Sequence, residues 1–258
     1  MKYGVCCGFD MIDTVEKCGF DYIEVNALSI ASMDETQYNQ CFEIVKASSL
    51  TVEAACVLFP GEMRLTGDGV NLFAIEHYLH DLFPKLKKLG IDIVVFGSGN
   101  SRKYPDNFTY EKAYNQLIQV GEILGKHAYN NGLTVTLEPL NIGETNIINK
   151  LQEGMSLVND VALPSFMLLA DWYHCVAEND TGYNIIKCGE FIRHTHIASP
   201  VKRINPTPND EGRYEDFFNA LNKINYNTRV SFEGSNVYEL INFGSKMLKY
   251  LKALSVNI

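Results

Sequence analysis

The sequence is short of the features that mark several protein classes, and each shortage excludes something. Basic residues are scarce: 22 Lys and Arg stand against 31 Asp and Glu, a net charge of −9. A phosphate backbone is held mainly by neutralising it with basic side chains, so this balance argues against a nucleic-acid binder. No apolar run approaches the ~18 residues of a membrane-spanning helix. The N-terminus, MKYGVCCGFD, lacks the roughly 7–15-residue apolar stretch of a secretory signal. The seven cysteines (6, 7, 18, 41, 56, 175 and 188) are odd in number and include no CxxC pair or zinc-finger spacing. The expectation is buried, reduced thiols in a cytoplasmic protein without membrane contact. No GxGxxG or P-loop follows the first apolar run, which removes the usual signature of an open doubly wound sheet.

What is present is regular. Hydrophobic residues make up 46% and charged residues 21%, ordinary for a soluble globular chain. Short β-branched runs near 3–7, 21–25, 51–57, 91–96, 133–137, 166–170, 192–197 and 229–233 read as strands. Amphipathic patterns lie between them. One runs Leu72, Ile75, Leu79, Leu82, Leu86, Leu89 to a stop at Gly90, with Pro84 inside it expected to kink or split the helix. Another, Ala113 to Ala128, ends at Gly132, and the last runs from Val237 through Leu240, Ile241, Met247 and Leu248 to Leu251. Eight strand–helix units in 258 residues, against about 250 for the typical case, predict a single (β/α)8 TIM-type barrel over residues 1–258. The longest irregular segments, about 59–70, 97–108 and 198–212, follow strands three, four and seven. All three belong on the C-terminal face, where barrel enzymes place their chemistry.

Four consecutive strands end in a carboxylate or an imidazole: Glu138, Asp171, His196 (after His194) and Glu233. In a barrel these groups point toward one place. Three carboxylates converging without a cation would raise one another's pKa values. A divalent ion resolves the conflict, and a donor set of mostly hard oxygens with one nitrogen suits Mn²⁺, Mg²⁺ or Co²⁺ better than structural zinc.

These segments resemble a known family, the sugar isomerase and epimerase barrels related to xylose isomerase, and especially the ketose 3-epimerases. Leu137-Glu138-Pro139-Leu140-Asn141, with Glu144 six residues past Glu138, is similar to their strand-five motif. Asp171-Trp172-Tyr173-His174 resembles their Asp-x-x-His. His194-Thr195-His196-Ile197 and Phe232-Glu233-Gly234 resemble the remaining two motifs, and Phe96-Gly97-Ser98-Gly99 through Pro105 the loop after strand four. The resemblance implies one divalent metal, Mn²⁺ before Co²⁺ or Mg²⁺, held by Glu138, Asp171, His196 and Glu233. Glu138 and Glu233 double as acid and base on opposite faces of a small sugar, moving a proton through an enediolate. Glu144 and His174 match positions that bind the carbonyl end of the substrate. The family's arginine, six residues after the metal His, falls on Lys202, with Arg203 one place later, so either cation is a candidate. The resemblance also allows a homo-dimer or homo-tetramer.

The leading expectation is therefore a ketose 3-epimerase. An aldose–ketose isomerase needs the same ion and the same enediolate. An abasic-site endonuclease-like hydrolase shares the fold but resembles a three-zinc cluster fed by many histidines, against six His in this acidic chain. A barrel that binds sugar and metal without turnover is the non-catalytic reading. Among the other residues, Glu24 ends strand two and either reaches the site or forms a salt bridge. Arg64 reads as loop solvation before a phosphate contact, Trp172 as packing, and His77, His80 and His127 as helix positions away from the chemistry.

Overall fold

The computed structural model describes residues 1–234 and 236–256; the side chains of Val237 and Val256 lie outside that description. Eight strands, β1 (Lys2–Cys6), β2 (Tyr22–Asn26), β3 (Thr51–Cys56), β4 (Ile93–Phe96), β5 (Thr134–Leu137), β6 (Phe166–Asp171), β7 (Ile192–Ile197) and β8 (Arg229–Phe232), close in sequence order into a parallel barrel. β8 returns to β1 through Val5 opposite Phe232. Parallel neighbours cannot be joined by a hairpin and require crossovers. Here the helices supply them: α1 (Ile12–Cys18), α2 (Ala27–Ser32), α3 (Glu35–Ala47), α4 (Leu72–Lys88), α5 (Gly99–Arg102), α6 (Tyr110–Asn131), α7 (Leu151–Val161), α8 (Trp172–Ala177), α9 (Gly182–Cys188), α10 (Tyr214–Lys223) and α11 (Leu240–Val256).

Strand side chains alternate between the two faces of the sheet, and the apolar core divides accordingly. Outward residues such as Ile23, Val25, Val94, Phe96, Val135, Leu137, Val230 and Phe232 join the large cluster beneath the helices. Ala54, Cys56, Ile93, Val95 and Leu169 form a second, small cluster inside the barrel. The rest of the interior is polar, with Tyr22, Glu24, Thr136, His194, His196 and Ser231 all buried. The register slips between Ile23 and Glu24 against β3 and between Leu168 and Leu169 against β7, and the second brings Asp171 opposite His196 at the C-terminal rim.

Three details depart from the sequence reading. Pro84 neither ends nor divides α4, which runs unbroken through it. Its ring lies on the exposed side, where water can take the carbonyl that a proline leaves without its helical donor. Ile241 faces solvent at 67% exposure, while Leu240, Met247, Leu248 and Leu251 are buried; it lies next to the seam without being part of it. The segment 138–150 after β5 is a fourth long irregular loop. Elsewhere the signals hold: Gly132 closes α6 in the left-handed conformation that its missing Cβ permits. Cys41, Cys56, Cys175 and Cys188 are buried, Cys6, Cys7 and Cys18 are half-buried, and all seven are free thiols. Among the described residues no helix is long and apolar enough to cross a membrane.

Candidate metal centre and catalytic pocket

Counting two residues past the inward-facing Gly4, Tyr22, Ala54, Val95, Thr136, Leu169, His194 and Ser231 gives a ring at the C-terminal rim. Its members are Cys6, Glu24, Cys56, Gly97, Glu138, Asp171, His196 and Glu233. The period-two alternation of a strand puts each of these on the same side as its predecessor. One potential ligand atom from each of Glu138, Asp171, His196 and Glu233 lies within 4.8 Å of the others. The structure thus brings together the four residues that the strand ends singled out.

The imidazole of His196 joins two layers of this ring. Its Nδ1 lies 3.2 Å from Glu138 Oε1 and 3.0 Å from Glu233 Oε2. Its Nε2 lies 3.0 Å from Glu24 Oε1. The other Glu24 oxygen is 2.8 Å from His194 Nε2 and accepts a hydrogen bond from Ser231 Oγ at 2.6 Å. Glu24 is fully buried and serves as the clamp behind His196, making the salt-bridge alternative the observed one. With Nε2–H donated to Glu24, the Nδ1 edge is the one that faces the carboxylates. A carboxylate behind a histidine is the usual way to fix the tautomer of a metal ligand.

The electrostatics show how the chain's own cations share this cluster. Burial raises the Asp171 carboxyl to about 6, only partly offset by Arg203. Burial and the Glu233 charge raise Glu138 as well. Glu233 goes the other way: burial opposes ionisation, but His196 and Arg203 hold it at about 2. Burial also opposes protonation of His196, yet Glu24 and Glu233 outweigh it and raise the imidazole well above its ordinary value. Mutual upward shifts were the expectation for three converging carboxylates, and Glu233 escapes because His196 Nδ1 lies 3.0 Å and Arg203 Nη2 2.6 Å from its Oε2.

Asp171 Oδ1 accepts the Tyr173 N–H at 2.8 Å and caps α8. Its other oxygen, Oδ2, is buried without a hydrogen bond; the His174 Nε2 and Arg203 Nη2 atoms lie 3.5 and 3.7 Å away. An unpartnered buried carboxylate oxygen is costly. This orphan sits among hard donors, an arrangement that a divalent cation would satisfy.

The substrate-side candidates surround the centre. His174 Nδ1 accepts from the backbone N–H of Asn141 at 3.0 Å, with Asn141 Nδ2 at 2.9 Å. The ring proton is thereby assigned to Nε2, which has no hydrogen-bond partner. Burial lowers the His174 pKa, so it is a neutral donor aimed at the centre. Glu144 receives Asn141 Nδ2 at 3.1 Å and Arg203 Nη1 at 3.4 Å. Of the two candidate cations, Arg203 enters the site, and its guanidinium lies over the Tyr173 ring at 4.9 Å. Lys202 is exposed. Both have positive φ, 74° and 50°, and this double left-handed turn carries Arg203 inward.

Two contributors escaped the sequence reading. Gly97 leaves room for the Glu138 carboxylate as it stands, because a Cβ there would lie 2.5 Å from Glu138 Oε2 and make that oxygen shift. Arg102, on α5, is fully buried. It donates to the carbonyl of Glu138 at 2.8 Å and reaches those of Phe96 and Ile148 at 3.4 Å each. Counting by twos from Val95 would have found Gly97; nothing local marks Arg102 among other surface-type arginines. The residues set aside stay apart. His77 and His80 are exposed on α4, His127 packs edge-on against Phe83, and Trp172 is buried against Phe217 with its Nε1–H on the Gly212 carbonyl. Arg64 braces the loop carbonyls of Asn100 and Lys103.

A pocket of about 300 Å³ is lined by Glu138 and Glu233 of the centre, by Glu144 and Arg203, and by the apolar Leu28, Val57 and Phe59. That is the small end of the range for ligand pockets.

The profile of the xylose isomerase-like TIM barrel family matches residues 12–251. Among similar curated proteins, the L-ribulose 3-epimerase of Methylomonas sp. (strain DH-1) is 25% identical over 221 residues, covering 84% of this chain and 74% of that one. The ketose 3-epimerase of Arthrobacter globiformis is 28% identical over 225 residues, covering 86% and 75%. A solved D-psicose 3-epimerase, crystallised in the presence of D-fructose, superposes with a TM-score of 0.86 over 99% of both chains at 19% identity. With a closed eight-stranded barrel in the structure and a profile match over most of its length, the chain belongs to the xylose isomerase-like TIM barrel family.

Proposed function

We propose that this chain is a metal-dependent ketose 3-epimerase acting on a free monosaccharide. It is an enzyme of the sugar epimerase and isomerase kind, and the curated relatives named above are 3-epimerases of ketoses. The observation that carries the finer reading is the cluster of Glu138, Asp171, His196 and Glu233, with its orphaned Asp171 oxygen, under a monosaccharide-scale pocket. Those four residues would hold one divalent ion, with Mn²⁺ the first choice for a hard, mostly oxygen donor set. When bound, the ion supplies positive charge that stabilises the enediolate oxygens.

The chain's own groups then divide the proton work. A proton on a carbon next to a carbonyl is weakly acidic, and a carboxylate within reach can remove it. Glu138 and Glu233 come from strands three apart in the ring, β5 and β8, flank His196 Nδ1, and both line the pocket. A carboxylate on each face of the sugar lets one take the proton while the other returns one to the opposite side, inverting that carbon. His196 and Arg203 hold Glu233 ionised. Glu138, whose pKa is raised by burial and by Glu233, is suited to carry a proton. The His174 Nε2–H is placed to donate to a substrate oxygen, and Glu144 to accept from a hydroxyl. Among the described residues that line the pocket Arg203 is the one cation, and it is engaged by carboxylates; this favours a neutral sugar over a sugar phosphate.

Proton NMR in D₂O, with Mn²⁺-loaded protein and a panel of free ketoses, tests the reading. Deuterium entering C3, with the C3 epimer appearing, is the expected result. Exchange between C1 and C2 with an aldose product would make it an isomerase, and binding without exchange would make it a sugar-binding barrel.

A further inference from the structure

The ring at the barrel rim contains a second set of ligand-type atoms. Cys6 ends β1, Cys56 ends β3, and both take inward positions, two residues past Gly4 and Ala54. Cys56 belongs to the small apolar cluster inside the barrel, and Cys6 packs against it. One atom from each of Cys6, Cys56 and Glu233 lies within 4.8 Å of the other two. Three donors from three strands, two of them sulfur, are thereby gathered beside the hard-donor centre and share one glutamate with it. Cys56 and Glu233 also line the pocket, so an ion can reach them from solvent.

We propose that Cys6, Cys56 and Glu233 form a second, thiol-lined cation site that takes a thiophilic divalent ion such as Zn²⁺ or Cd²⁺. Zinc–sulfur bonds are about 2.3 Å and zinc–oxygen bonds about 2.0–2.2 Å. Ligand atoms of one tetrahedral ion therefore stand roughly 3.5–4 Å apart, and side-chain rotation closes that spacing from the observed one. Two sulfurs select against Mn²⁺ and Mg²⁺ and in favour of softer ions. Binding exchanges the two thiol protons for the ion and releases them to solvent, with no change of oxidation state. Three protein ligands leave a fourth position open toward the pocket. The mixed alternative of Cys6 with Glu24 and His196 also brings its atoms together, but both Glu24 oxygens are engaged by histidines. An ion on the thiol side also inhibits turnover by drawing Glu233 away from the hard-donor centre, a consequence that rests on the proposed role of Glu233. The binding itself does not depend on that role.

The test is Cd²⁺ titration of the full-length protein, read by the ultraviolet charge-transfer absorption of Cd²⁺–thiolate bonds, with Mn²⁺ uptake measured separately by equilibrium dialysis. The wild type and Cys41→Ser are expected to develop the band at one Cd²⁺ per chain. Cys6→Ser and Cys56→Ser should each weaken Cd²⁺ binding by at least about tenfold, the low end for disturbing a metal's surroundings. Asp171→Asn, which removes a hard donor, should retain the band. ¹¹³Cd NMR of the wild type reports sulfur ligation without any substitution. A resonance typical of oxygen ligands alone, or a band unchanged in the Cys6→Ser/Cys56→Ser double variant, overturns the inference. A wild type that develops the thiolate band but takes up no Mn²⁺ would instead count against the hard-donor centre and leave the thiol site standing.

Discussion

The two halves of the barrel rim occupy equivalent positions and carry different chemistry. On β5 to β8 the inward rim residues are Glu138, Asp171, His196 and Glu233, whose ligand atoms converge. On β1 to β4 they are Cys6, Glu24, Cys56 and Gly97. Strand geometry alone would let either half build a centre. The halves differ in what each side chain is left to do. Glu24 is engaged by two imidazoles and a serine, Gly97 gives up its side chain so that Glu138 can occupy the space, and the two cysteines offer soft sulfur. One half presents hard donors, and the other sets their orientation and clears room for them.

The largest effect that should separate the halves comes from the two glutamates of the hard side. Glu138→Gln and Glu233→Gln keep an oxygen for the ion but remove a base. Each should lower epimerisation by about 10²–10⁴-fold, the worth of a general base. Single variants should still wash deuterium into one epimer, the one whose proton faces the surviving glutamate, and the two variants should label different epimers. Both labelling the same epimer would break the two-base division.

Next in size are two substitutions on the supporting half. Glu24→Gln preserves shape but weakens the clamp on His196 Nε2, and Mn²⁺ affinity should fall by about 10–100-fold, the usual cost of losing such a partner. Gly97→Ala places a methyl group against Glu138 Oε2, so the carboxylate must rotate away and both Mn²⁺ uptake and turnover should drop. If calorimetry shows either variant binding Mn²⁺ like the wild type, the supporting role fails.

The same comparison shows what could be read from the chain beforehand. The eight strands and the convergence of four strand ends were legible, because period-two patterning and strand-end polarity are local properties. The choice of Arg203 over Lys202 was not, since it depends on two successive left-handed residues that no propensity marks. Glu24 stood open between two uses because its partners, His194 and His196, lie across the barrel, 170 and 172 residues away. Arg102 is buried against three carbonyls contributed by two segments, the end of β4 and the 138–150 loop, which is a tertiary fact. Pro84 misled because its helix-breaking tendency was read without knowing which face of α4 it occupies.

A pH experiment sharpens the contrast further. The folded-state pKa of Asp171 is raised to about 6 from 3.8, so between these values the native protein binds more protons than the unfolded chain. Stability from this group is present at low pH and is lost as pH rises through about 6, where an ionised, unpartnered carboxylate is left buried. Mn²⁺ requires the ionised form. Its stabilisation should therefore be larger at pH 7.5 than at pH 5, read as the rise in Tm on adding saturating Mn²⁺. An equal rise at both pH values would remove Asp171 from the ligand set.

The smallest effect is expected where the hard half meets the substrate without holding the ion. His174 follows Asp171 by three residues on α8, and its Nδ1 is taken up by Asn141. Only Nε2–H faces the centre, as a neutral donor, because Nδ1 accepts the Asn141 N–H and burial holds the ring pKa below its ordinary value. A lost hydrogen bond to a bound substrate costs on the order of 0.5–1.5 kcal/mol, about tenfold in rate at the upper end. His174→Asn should thus lower kcat/KM by about that factor, leave Mn²⁺ stoichiometry at that of the wild type, and leave the pH profile unshifted, since no ionisation is removed. Glu144→Gln should behave alike in stoichiometry while raising KM, because its partner Arg203 keeps the anchor on Glu233. If His174→Asn instead strips the ion, the imidazole belongs among the ligands, and the division between holding the metal and orienting the sugar must be redrawn through α8.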